Sequence, residues 1–142
     1  MVIHINPQDA KFPDIRRADL TDWIAAYERA WRMAGTDTLA DLFAPDATYS
    51  MGPFEPTERG LPAIAALWHR ERESPDEPFR MTSEIVAVEG DTGVARVEVW
   101  YDGPPPRHYK DLWIVRLDDS GRCTAFEEWP FWPELGTHAP AG

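Results

Sequence analysis

The sequence predicts an α+β domain in which helices come first and a bent sheet follows. Three observations carry that assignment. A helical stripe of apolar residues runs from Asp19 to Gly35. The second half holds strand-like runs at about 79 to 88, 93 to 102, 107 to 117 and 122 to 132. Between these runs lie Glu89-Gly90-Asp91, Gly103-Pro104-Pro105-Pro106 and Asp118-Asp119-Ser120-Gly121, short turn-forming links that favour antiparallel hairpins. With 142 residues and 43% hydrophobic content, the chain makes one domain able to bury a core without staples.

Each element has a local reason. Residues 1 to 18 read as an arm, because Pro7 and Pro13 oppose regular structure. The domain proper spans 19 to 132, and the tail from 133 to 142 is expected to fray. In the first helix Leu20, Trp23, Ile24, Tyr27, Ala30, Trp31 and Ala34 keep helical spacing until Gly35 stops it. Thr36 can cap a short second helix carrying Leu39, Leu42 and Phe43, followed by a brief strand at Ala47-Thr48-Tyr49-Ser50-Met51. Gly52, Pro53 and Pro56 force a loop. Leu61-Pro62 opens a third helix with Ile64, Leu67 and Trp68, and Ser74-Pro75-Asp76-Glu77-Pro78 ends it. Three helices then pack on one face of the sheet.

Composition excludes several classes. Cys123 is the only cysteine, so no intramolecular disulfide forms and no cysteine cluster holds a metal. His4, His69, His108 and His138 show no metal-ligand spacing, and no cofactor is expected. A net charge of -11 argues against nucleic acid and anionic membranes as partners and reads most simply as solubility. The start, Met1 to Pro7, lacks the pattern of a signal peptide and no run is long enough to span a bilayer, so a cytoplasmic protein is expected.

The chemistry concentrates in two strands. Phe126-Glu127-Glu128-Trp129-Pro130-Phe131-Trp132 sets two carboxylates among four aromatic rings, near Tyr109-Lys110-Asp111-Leu112-Trp113. Strand side chains alternate between faces, so one carboxylate of each strand turns inward. Burying an ionised carboxylate is costly unless it is paired, so two on one inner face point to a site. The plainer reading pairs each with a buried Arg or Lys. Tyr27 and Tyr49 are equally accounted for as core rings with a polar tip, and most of the seven tryptophans as core. Glu71-Arg72-Glu73 reads as a wet helical face, and Cys123 as packed rather than nucleophilic.

The order of elements, with Tyr27 and Trp31, the run Leu42-Phe43-Ala44-Pro45-Asp46-Ala47-Thr48-Tyr49, Gly60 with Ala63-Ile64, and Arg116-Leu117-Asp118-Asp119-Ser120-Gly121-Arg122, resembles the nuclear transport factor 2-like superfamily, especially its SnoaL-like enzymes, over residues 19 to 132. The resemblance implies a cone: a curved, mostly antiparallel sheet with the three helices on its concave face, wrapped around a pocket. Fold does not fix function among its isomerases, dehydratases, cyclases, epoxide hydrolases and binding domains. Aligned on ketosteroid isomerases, Tyr27 falls on the tyrosine that stabilises the dienolate oxygen. Met51 and Trp113 replace the two aspartates, which argues against steroid isomerisation. Aligned on limonene epoxide hydrolases, Arg96, Glu98, Glu128 and Tyr49 take roles in the site, with Met51 in place of an asparagine. The two alignments disagree on β-strand register: the first turns Val97 and Val99 inward, the second Arg96 and Glu98. The continuous apolar set Ala95, Val97, Val99 and Tyr101 favours the first.

Together these readings give an acid–base enzyme acting on a small apolar molecule, or else a non-catalytic binding module of the same fold. Asp111 and Glu128 would move protons, Tyr27 or Tyr49 would hydrogen-bond a developing oxyanion, and Trp31, Met51, Phe54, Trp68, Met81 and Trp113 would shape the pocket. The outer sheet face would carry Trp100, Leu112, Ile114, Trp129 and Phe131, a sticky patch that predicts a homodimer.

Overall fold

The computed structural model describes residues 14–72 and 76–136. The N-terminal arm up to residue 13, Glu73-Ser74-Pro75 and the tail from residue 137 lie outside the described residues, as do His4 and His138. The elements in chain order are α1 (Arg17–Arg32), α2 (Leu39–Leu42), β1 (Phe43–Ser50), β2 (Glu58–Arg59), α3 (Leu61–Glu71), β3 (Phe79–Glu89), β4 (Thr92–Tyr101), β5 (Arg107–Leu117), β6 (Cys123–Phe131) and α4 (Pro133–Gly136).

The expected α+β architecture is present. One curved, unclosed sheet runs in the order β2-β1-β6-β5-β4-β3. Every neighbouring pair is antiparallel except β1 with β6. Helix α1 presents Leu20, Trp23, Ile24, Tyr27 and Ala30 to the sheet as its buried stripe. It begins at Arg17, two residues before the expected start, and Asp19 caps it from inside the first turn by accepting the Arg16 backbone N–H at 2.8 Å. The Trp23 indole N–H donates to Leu42 O at 2.9 Å, tying α1 to α2. At the other end of α1, Arg72 donates to Met33 O and Gly35 O at 2.6 and 2.8 Å, joining the ends of α1 and α3.

Local differences have local causes. Phe43 opens β1 instead of closing α2, because β1 pairs with β6 from Phe43 opposite Cys123. Short β2 was not expected; it exists because Thr48 and Tyr49 pair with Arg59 and Glu58. At the start of the expected tail, Pro133 opens a single helical turn, a position where its missing N–H costs nothing. In β3 the pairing slips between Ile85 and Ala87, a bulge that leaves Val86 exposed while Ile85 and Val88 both pack on the core.

The core lies between α1, α3 and the concave sheet face. Trp113, Val115, Val97, Phe126 and Tyr49 from the sheet are each at most 2% exposed. Trp23 meets Phe43, Trp113 and Phe126 at ring-centroid distances of 5.7, 6.3 and 5.3 Å. Core packing fills the end of the cone nearest β1 and the start of α1, and the opposite end stays open.

Candidate active site

Sheet register brings two carboxyls together. In the β5–β6 ladder Asp111 pairs with Pro130 and Trp113 with Glu128, so Asp111 and Glu128 are diagonal neighbours on the concave face. Both line a cavity of about 890 Å³, within the size range of small-molecule sites. Asp111 is only 8% exposed, and Glu128 is half-buried with its carboxyl toward the cavity. Among the described residues, neither forms an ion pair with Arg, Lys or His.

Neutral donors surround the pair. The Trp113 indole donates to Asp111 Oδ2 at 3.3 Å, and the Tyr49 hydroxyl donates to Glu128 Oε2 at 3.0 Å. Tyr49 has a single proton, so the 2.8 Å contact between the Tyr27 and Tyr49 hydroxyls is Tyr27 donating to Tyr49. A chain therefore runs from α1 through β1 to β6. Burial, then the nearby Glu128 charge, holds both tyrosine pKa values well above the ordinary range, so both remain donors.

The carboxyls respond as a pair. Burial raises Asp111 to about 6, against the opposing pull of the Trp113 and Glu128 hydrogen bonds. Burial and then the Asp111 charge raise Glu128 to about 8, opposed by the Tyr49 bond. With no cation to compensate them, two facing carboxylates cannot both ionise easily, and near neutral pH the pair keeps one proton. Asp111 Oδ1 is buried without any donor, which fits an oxygen bonded through the proton shared with Glu128.

Several expected wall residues are there. Tyr27, Trp31, Met51, Met81 and Trp113 line the cavity, with Phe54, 98% exposed, at its mouth. Trp68 and Tyr49 stand behind the wall. Trp68 packs edge-on against Tyr27 and Trp31 at 5.2 and 4.9 Å, and Tyr49 reaches the site only through its hydroxyl. Arg96 and Glu98 are corrections: both point out of the convex face. Arg96 pairs with Glu84 at 3.5 Å in solvent and Glu98 with His108 at 2.6 Å, while Ala95 and Val97 fill the inner face. The uninterrupted apolar set of β4 decides the register.

Other lining residues were not among the expected site residues. Tyr101 and Tyr109 continue the inward alternation of β4 and β5, and Trp31 Nε1 donates to the Tyr101 hydroxyl at 3.1 Å across the wall. Strand alternation was the available signal for both. The Arg107–Glu77 pair at 2.6 Å joins the start of β5 to the segment before β3, and no local pattern announces it. Among the described residues no group of three His, Cys, Asp or Glu is arranged to hold a metal ion, and no helix is long and apolar enough to cross a membrane.

A family model described as a SnoaL-like domain matches residues 23–126. The chain belongs to the SnoaL-like domain family. No curated protein matches it. Three solved structures share the nuclear transport factor 2-like fold of this SnoaL-like domain. The epoxide hydrolase/cyclase-like enzyme SalBIII, which has a role in pyran ring formation in the polyether salinomycin, has a TM-score of 0.64 at 12% identity, covering 78% of this chain and 89% of its own. A candidate ketosteroid isomerase from Kribbella flavida has a TM-score of 0.62 at 18% identity, covering 89% and 82%. A nuclear transport factor 2-like protein of unknown function from Mesorhizobium loti has a TM-score of 0.60 at 19% identity, covering 84% and 96%. At these identities the likeness concerns the fold alone.

Proposed function

We propose that this SnoaL-like domain is an acid–base enzyme acting on a small, largely apolar organic molecule. Reactions of the dehydratase, isomerase, cyclase or epoxide hydrolase type fit it. The observation that carries this reading is the Asp111–Glu128 pair, set in the wall of an aromatic-lined cavity and, among the described residues, without an ion-pair partner. A structural carboxylate is normally locked to an Arg or Lys; an unpaired couple with separated affinities for protons supplies an acid and a base side by side. Protonated Glu128 delivers its proton to a substrate oxygen. Ionised Asp111 takes one from carbon or from water, and neither step needs a cofactor.

The tyrosines have a supporting part in this proposal. Tyr27 is committed to Tyr49 and Tyr49 to Glu128, so neither hydroxyl proton is free for a substrate oxyanion. They stabilise the Glu128 carboxylate that remains after proton delivery. The net effect of the site is negative, which suits a substrate gaining positive character on protonation.

The test is turnover on a panel of small epoxides, β-hydroxy ketones and β,γ-enones. Wild type is expected to turn over at least one class, and Glu128→Gln to be slower by about a hundredfold or more. Full activity in that variant removes Glu128 from proton transfer. Turnover of no class, with ligand binding retained, leaves a non-catalytic binding module. The same reading includes a homodimer through the convex face, where Leu112, Ile114 and Trp129 are half-buried and Phe131 is 47% exposed.

A further inference from the structure

The hydrogen-bond capacity of the carboxyl pair defines the group that complements it. Asp111 Oδ2 already accepts from Trp113, and Glu128 Oε2 from Tyr49. What remains is Asp111 Oδ1, buried and bonded only through the proton it shares with Glu128, and the second oxygen of Glu128. Two buried carboxyls in contact without a cation hold one proton between them, so the pair offers one acceptor and one donor to anything that enters.

Resting on the acid–base reading above, we propose that the substrate is an apolar alcohol whose hydroxyl inserts between the two carboxyls, donating to Asp111 Oδ1 and accepting from Glu128. A ketone, ether or epoxide only accepts, and leaves Asp111 Oδ1 unsatisfied. A carboxylate brings a like charge against the pair. Water has both capacities, but an alcohol adds a body that the Tyr27, Trp31, Met81 and Tyr101 wall takes out of solvent. A cavity of about 890 Å³ sets the body at one to a few rings.

A matched series tests this through binding alone: 2-decalol, its methyl ether, 2-decalone and decahydronaphthalene-2-carboxylate, titrated at pH 7 with tryptophan fluorescence and calorimetry as readouts. The alcohol is expected to bind about tenfold tighter than the ether or the ketone, with the carboxylate weakest. Glu128→Gln, whose amide still donates, is expected to keep that preference, and Asp111→Leu to abolish it. An alcohol that gains nothing over the ether, whether both bind equally or neither binds, overturns the inference, as does a preference that survives Asp111→Leu. The two readings separate cleanly. Loss of turnover in Glu128→Gln without any alcohol preference sinks only the hydroxyl proposal, and an alcohol preference with no turnover sinks only the enzyme.

Discussion

Glu128 and Asp111 exchange stability for chemistry, and the sign of that exchange can be worked out. Both carboxyls bind protons more tightly folded than unfolded: Asp111 rises from 3.8 to about 6 and Glu128 from 4.5 to about 8, chiefly through burial. Their contribution to stability is therefore complete below about pH 4 and is lost as pH rises through about 6 and then about 8, at roughly 1.4 kcal/mol per unit of raised pKa. A neutral amide at 128 keeps the shape and the Tyr49 contact but never has to ionise. Melting curves from pH 4 to 9 are expected to converge for wild type and Glu128→Gln at the acid end, and to separate progressively as pH rises from 4.5 to about 8, with the variant more stable by several degrees. Parallel curves at every pH would show that Glu128 ionises as freely as a surface residue.

At the scale of elements, the close approach of α1 to the sheet depends on a missing side chain. Gly93 in β4 lies beneath Leu20, and a methyl group there would overlap the end of the Leu20 side chain, which is fully buried in the core and would have to turn away. Gly93→Ala is expected to lower stability by about 1–3 kcal/mol, as overpacked core sites do. An unchanged midpoint in urea would mean that α1 can lift off the sheet freely. The stripe of α1 and the strand ends were legible in the sequence, because each follows from a period of 3.6 or 2 that holds locally; alternation also showed that one carboxylate of each strand turns inward, and the isomerase resemblance pointed to Asp111, Trp113 and Glu128 as the inward set. The face of Arg96 and Glu98 was legible from the same alternation, and only the comparison with another enzyme's motif pointed the other way. What could not be read was the hydrogen bonding of Tyr27 to Tyr49 to Glu128. It depends on β1 running parallel to β6 with Tyr49 opposite Phe126, a pairing between segments more than 70 residues apart. The Arg107–Glu77 contact at the mouth was hidden because no local period links two side chains 30 residues apart.

Taken as a whole, the molecule has a closed side and an apolar back. The convex face carries Leu112, Ile114, Trp129 and Phe131 along β5 and β6, with Leu112 beside Trp129 and Lys110 beside Phe131 in the ladder. Trp100 is less available than the sequence implied, since Arg80 lies over its ring at 4.6 Å and His108 stacks on it at 5.2 Å. Both signs of charge flank the stripe, in Glu84 and Arg96, so a second copy related by a twofold axis can set opposite charges against one another while covering the apolar centre. A stable pair needs roughly 800 Å² from each partner. Sedimentation equilibrium at micromolar concentration is expected to give a dimer for the wild type and a monomer for Leu112→Glu. That substitution isolates the interface: Arg96 sits opposite position 112 in the β4–β5 ladder, so a new carboxylate there is neutralised on a free surface yet costly to bury against a partner. A wild type that sediments only as a monomer removes the dimer. A variant that dimerises as well as the wild type moves the interface to another face.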